Sequence, residues 1–183
     1  MVLGGLIRWF RFGLIVVAIN TQRSAKLIYK YESINKMSGK LKIEINTTEH
    51  FQVLPLKTIP FSMDSNWFNG KTDIVTYEIN ELMATKLRAL YQRRKGRDFF
   101  DIWYVADNEL VNLDQVFNIF AKYCAYNNIK ISREEFIKNL EQKKDHRDFH
   151  MDMSVLLPST LHWNFEEAYQ FVVDKVISKL PRN

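Results

Sequence analysis

Glu81-Leu-Met-Ala-Thr-Lys86-Leu-Arg-Ala-Leu-Tyr-Gln-Arg93-Arg-Lys-Gly96-Arg97-Asp98-Phe-Phe-Asp101-Ile-Trp103 is the stretch on which the fold turns. Good helix formers flank a single glycine. Ile79 to about Lys95 reads as one helix, with Gly96 as its left-handed stop. Asp98 then reads as the cap of a second helix reaching about Ala106. The stretch also gathers a lysine, an Arg-Asp pair and a second aspartate among apolar residues, a mixture that a solvated helix face does not require.

Downstream the pattern stays helical. Leu113, Val116, Phe117, Phe120, Ala121 and Cys124 fall at helical spacing. Ser132-Arg-Glu-Glu135 is a capping box that opens a helix with Phe136, Ile137 and Leu140 inward. Glu141 to Asp148 mixes both charge signs and reads as a solvated helix end. Asn164-Phe-Glu-Glu167 opens a last helix, burying Phe165, Ala168, Phe171 or Val172, Val176 and Leu180.

Upstream the period changes. Residues 25–33 and 40–47 read as a β-hairpin, with Asn35 to Gly39 supplying the turn. Leu41, Ile43 and Ile45 alternate with Lys42, Glu44 and Asn46, which predicts a buried apolar face and a charged one. Residues 48–70, with Pro55, Pro60 and Gly70, read as irregular. Thr72 to Tyr77 reads as a third strand. Strands followed by a run of helices make an α+β chain, divided at about residue 78 into a β-rich part (1–78) and a helical part (79–183).

The 183 residues, 46% of them apolar, are enough for one core-bearing domain, alone or with a small appendage. The net charge of +5 suits a nucleotide or RNA partner only weakly. Cys124 is the one cysteine, which excludes an intramolecular disulfide and suits a reducing, cytoplasmic setting; it reads as a core residue. The apolar run Phe12 to Ile19 follows Arg8 and Arg11 and is too short to span a bilayer. It reads as a buried strand or helix, or as an altered N-terminus; no small-x-small cleavage site follows it.

Each candidate for chemistry has a bland reading beside it. Glu44 is either one more outward strand glutamate or a carboxylate fixed to share a divalent cation. Lys42, on the same face, either pairs locally or touches phosphate. Lys86 either snorkels from its helix or places a point charge on triphosphate oxygens. Arg93, two turns further on, extends the same stripe if the helix is continuous. Asp98 and Asp101 serve as cap and first-turn charge, with Arg97 pairing to either. Together with Lys86 they suit a site for a nucleoside triphosphate and its metal ion. His146 and His150 read as surface residues, and His50 and His162 stand alone.

Two stretches carry a family resemblance: Lys40-Leu-Lys-Ile-Glu44-Ile-Asn46, and Tyr77 to Trp103 with Lys86, Arg93, Gly96-Arg97-Asp98 and Asp101. The chain resembles the AbiEii/AbiGii family of toxin nucleotidyltransferases, relatives of the AbiE-type and MenT-type toxins, over roughly residues 24 to 180. The resemblance implies part of a polymerase-β-like nucleotidyltransferase sheet followed by a helical domain. It also implies transfer of a nucleoside monophosphate from an NTP to an acceptor such as tRNA with Mg²⁺, and a cognate antitoxin; no membrane partner is expected, the apolar run being too short. Under it, Glu44 corresponds to the strand carboxylate near the metal. Lys86 corresponds to the phosphate-neutralising lysine, and Asp101 completes the motif beside the Arg97-Asp98 pair; Lys42 and Arg93 join the nucleotide-binding set. The family's Gly-Ser and Asp-x-Asp motif is absent from the sequence. The expectation is therefore a truncated or degenerate enzyme, weak or inactive alone, or else a non-catalytic nucleotide-, RNA- or antitoxin-binding module.

Overall fold

The computed structural model describes residues 11–12, 17–21, 24–33, 35–47, 51–66, 68–154, 157, 161 and 163–182. His50 and His162 lie outside them. The chain is a mixed α+β protein of two compact units, residues 1–51 with 60–73, and residues 52–59 with 74–183.

The first unit is built on an antiparallel sheet. Strands β1 (Arg11–Phe12) and β2 (Val17–Asn20) pair with one edge of β3 (Ser24–Glu32), and β4 (Ser38–Asn46) pairs with the other. The 12–19 run is thus strand where it is described. The β3–β4 turn lies at Ser33–Met37, earlier than expected. Lys36 supplies its left-handed residue (φ 60°), and the Ser33 hydroxyl accepts from the Met37 amide at 3.1 Å. Gly39 belongs to β4, opposite Tyr31, whose ring occupies the space a β-carbon would need.

The apolar face of β4 is not buried. Leu41, Ile43 and Ile45 are 47%, 37% and 51% exposed. A strand face is covered only by a second layer, and among its described residues this unit contains only strands. The segment expected to be irregular also contains a strand. β5 (Lys57–Asp64) pairs with β6 (Asn69–Thr76) in a separate two-stranded sheet. Ile59, Phe61 and Met63 carry the period-2 signal, and Pro60 fits because a two-stranded ribbon has free edges.

The second unit holds the core. Its helices are α1 (Ile79–Gln92), α2 (Gly96–Asp107), α3 (Leu113–Tyr126), α4 (Arg133–Lys144), α5 (Arg147–Ser154) and α6 (Phe165–Phe171). A π-turn (Val172–Val176) and a 3₁₀ turn (Ile177–Lys179) follow. Leu87, Leu90, Phe99, Val116, Tyr123, Phe136, Leu140, Phe149, Val172, Val176 and Ile177 are buried almost completely. Ser132 and Glu135 form the expected reciprocal capping box, and Asn164 caps α6 through the amides of Glu166 and Glu167. Cys124 is buried, which holds its thiol pKa above the ordinary value.

Gly96 is not a left-handed stop, since no glycine has positive φ among the described residues. It is the first residue of α2 and lies against α5, where an added β-carbon would sit 1.9 Å from the Phe149 carbonyl oxygen. Glycine is required there by close approach of two backbones. His150 is not a surface residue either. It is half-buried, with its ring 4.3 Å from that of Phe165 and its Nε2 against the Lys144 carbonyl.

Two buried charges organise this unit. The Glu81 carboxylate, fully buried, accepts from the Val53 amide, the Leu54 amide and the Tyr123 hydroxyl, each at 2.7 Å. It thereby fixes residues 53–54 and α3 to the start of α1. Lys143 departs from the solvated reading of its segment. It is 8% exposed and donates to the carbonyl oxygens of Leu90 and Tyr91, closing the C-terminal end of α1.

Burial lowers the Lys143 pKa from 10.5 to about 8. Between those two values the unfolded chain binds the proton and the folded chain does not, so stability gained from this group rises with pH across that window. Urea denaturation of the wild type and Lys143→Met should show a stability difference that moves in favour of the wild type from pH 8 to pH 10.5. A difference independent of pH would contradict the buried charge.

Candidate functional site

Of the expected cluster, Lys86, Arg93, Asp98 and Asp101 come together at the junction of α1 and α2, by contacts other than those the sequence suggested, and Arg97 does not. Asp98 does not cap its helix. It lies in the first turn of α2, behind Lys95 as the capping residue, and is completely buried. Its carboxylate takes two hydrogen bonds from Arg93, Nε to Oδ2 at 2.7 Å and Nη2 to Oδ1 at 2.9 Å, and one from Lys86 Nζ to Oδ1 at 3.3 Å. The bidentate fork suits a carboxylate that has lost its water, and the helix N-terminus adds a favourable field.

Lys86 reaches this point from mid-α1. Its ammonium bridges Asp98 to Asp101, whose Oδ2 is 2.7 Å away. The Lys86 and Asp101 side chains are 25% and 37% exposed, so this half of the cluster opens to solvent while Asp98 closes it from inside. Arg93 does not extend a continuous helical stripe. α1 ends at Gln92, and Arg93 turns into extended backbone (φ −131°, ψ 160°), which directs it towards Asp98.

Arg97 pairs with neither Asp98 nor Asp101. Its amide donates to Asp152 Oδ2 at 3.3 Å, and its guanidinium lies 3.9 Å from the same oxygen. Lys95 lies 3.9 Å from the other oxygen of Asp152. The adjacent Arg97 and Asp98 are separated because one is exposed and the other buried on the same helical turn. Arg94, also exposed, has no ion-pair partner among the described residues.

Glu44 belongs to the first unit and is fully engaged there. Lys42 Nζ, on its own strand, is 2.6 Å from Oε2, and Lys26 Nζ, opposite on β3, is 3.1 Å from Oε1. Hydrogen bonds from Lys42 and then Lys26 hold its carboxyl below the usual pKa range. A magnesium ion needs several oxygen ligands and excess negative charge. Glu44 with two ammonium groups offers neither, and no group of three potential metal-ligating side chains occurs among the described residues. The described residues therefore do not fit the implied metal.

Sequence reasoning missed Glu81, Tyr123, Lys143 and Asp152. Glu81 carried a signal, because it shares the helical spacing of Ala84 and Arg88 and abuts the buried stripe of Met83, Leu87 and Leu90. Asp152 carried none, since its partners are more than fifty residues away.

The geometry separates the two aspartates energetically. Asp98→Ala should cost about 2–4 kcal/mol, below the full penalty for breaking a buried pair because half-exposed Arg93 regains water. Asp101→Ala, on the solvent side, should cost about 0–1 kcal/mol. Equal costs in urea denaturation would contradict this burial order.

A family model described as nucleotidyl transferase AbiEii toxin, Type IV TA system, matches residues 8–171. Two solved structures from Helicobacter pylori share the fold at 19% identity. The crystal structure of JHP933 has a TM-score of 0.54, with 93% of this chain and 66% of that chain covered. The crystal structure of a putative nucleotidyltransferase has a TM-score of 0.52, with 93% and 68% covered. The chain thus spans about two thirds of the length of these structures. No curated protein matches. Among the described residues no helix is long and apolar enough to cross a membrane. A match over most of its length establishes that this chain belongs to the AbiEii nucleotidyl transferase toxin family.

Proposed function

We propose that the α1–α2 junction binds the phosphates of a nucleoside triphosphate, and that the chain takes part in transferring its nucleoside monophosphate to an acceptor, an RNA such as tRNA. The observation that carries this reading is Lys86, a partly exposed ammonium on a rigid helix, held in place by a buried aspartate. In this reading a triphosphate competes with solvent-facing Asp101 for Lys86, while Asp98 keeps Lys86 and Arg93 aimed. Arg94 and Lys95 in the linker and Arg97 in the first turn of α2 add positive charge nearby. Positioning and charge neutralisation are the main protein contributions to such a transfer.

We place the core remnant in residues 1–78 and the motif-bearing helical part in 79–183, with a cytoplasmic toxin and a cognate antitoxin as the setting. Without Asp-x-Asp, and with Glu44 occupied by two lysines, transfer by this chain alone is expected to be slow. Those same two observations favour a second reading, a module that binds nucleotide, RNA or antitoxin without chemistry.

Incubation with each labelled NTP, Mg²⁺ and bulk tRNA separates the readings. Transfer predicts low but measurable label in RNA, abolished in Lys86→Ala at a temperature where that variant is still folded, its melting temperature falling only modestly because Arg93 still holds Asp98. NTP binding without label would select the second reading. Failure of every NTP to bind, or NTP binding undiminished in folded Lys86→Ala, would overturn the phosphate role.

A further inference from the structure

The β3–β4 hairpin carries five lysines, Lys26, Lys30, Lys36, Lys40 and Lys42, against two glutamates, Glu32 and Glu44. Residues directly opposite in an antiparallel pair share a face, and so do alternate residues along each strand. Lys26, Lys30, Lys40 and Lys42 therefore lie on one face.

Their neutralisation is uneven. Lys26 and Lys42 share Glu44. Lys30 and Lys40 stand directly opposite one another, both exposed, and among the described residues neither forms an ion pair. Like charges facing each other across a ladder destabilise it. The sequence supplies an acid directly opposite Lys26 and none directly opposite Lys30 or Lys40; Glu32, two residues along the same face, forms no ion pair among the described residues. An open concavity adjoins this part of the ladder, lined by Lys30, Ser38 and Lys40 and by Tyr31 and Gly39, whose β-positions belong to the opposite face. A pair of exposed cations held together at a cost is the arrangement an anionic ligand would relieve.

We propose that this face, centred on Lys30 and Lys40, is a binding surface for the phosphate backbone of a single-stranded nucleic acid. The repeat along one strand, about 7 Å between Lys40 and Lys42, suits phosphates in sequence along an extended strand better than one small anion. The contacts are with phosphate, so binding is insensitive to base sequence and strongly dependent on salt. This surface is separate from the triphosphate reading of the α1–α2 junction and does not depend on it.

The test uses the full chain and fluorescein-labelled oligouridylate of about 20 nucleotides, without NTP or Mg²⁺, with anisotropy read across a salt series. Lys30→Ala/Lys40→Ala should weaken binding at least tenfold and flatten the slope of log affinity against log salt by about 1.4, the share of two phosphate contacts on a single strand. It should melt no lower than the wild type, because a repulsion is removed, and Lys30→Arg/Lys40→Arg should keep wild-type affinity. Lys130→Ala/Arg182→Ala, two exposed cations of the other unit, should leave the slope unchanged. No binding by the wild type, or equal losses in both alanine pairs, would overturn the assignment. Displacement by poly-L-glutamate as readily as by unlabelled oligouridylate would overturn it in favour of an acidic protein. A chain that binds oligouridylate but labels no RNA would leave this surface standing and remove the transfer reading.

Discussion

A carboxylate stripped of water must be paid for by its neighbours, and in this protein Asp98 sets that demand. Arg93 meets it with a two-pronged hydrogen bond and Lys86 with a third. Those partners come from the end and the middle of α1, so satisfying one buried charge fixes how α1 and α2 pack. Gly96 makes the arrangement accessible. By letting α2 begin against the Phe149 carbonyl of α5, it brings Asp98 inward and leaves Arg97 outside.

The same logic recurs at both ends of α1. Glu81 collects two loop amides and a tyrosine hydroxyl at the start, and Lys143 covers two carbonyls at the finish. Each is a charge that would be prohibitive if unpaired, and each holds a distant segment to the helix. Helix α1 is therefore fixed by polar interactions as well as by Leu87 and Leu90. Lys86 projects from that fixed helix with part of its surface in water, which is why the proposed phosphate role is assigned to it.

The helical half was legible because its signals are local. The 3.6-residue spacing of Leu113 to Cys124, the Ser132–Glu135 box and the Asn164 cap all act within a few residues of where they are read. The contacts of Arg93, Arg97 and Asp98 were not, because they depend on where α1 stops and on Asp152, brought in by the packing of α5. The glycine between the helices was read as a turn residue when its cause was tertiary crowding. In the sheet, alternation gave the strands correctly but not burial, since Leu41, Ile43 and Ile45 are covered only if another layer exists. Pro60 concealed β5 although Ile59, Phe61 and Met63 alternate around it. The cluster of charges was visible as composition; its division into a buried half and a solvent half was not.

A double-mutant cycle on Arg93 and Asp98, each changed to alanine singly and together and followed by urea denaturation, tests the keystone most directly. The coupling should be about 1–3 kcal/mol, as expected for groups joined in one network. Additivity within about 0.5 kcal/mol would mean that the buried aspartate does not hold these helices together, and the positioning ascribed to Lys86 would fall with it.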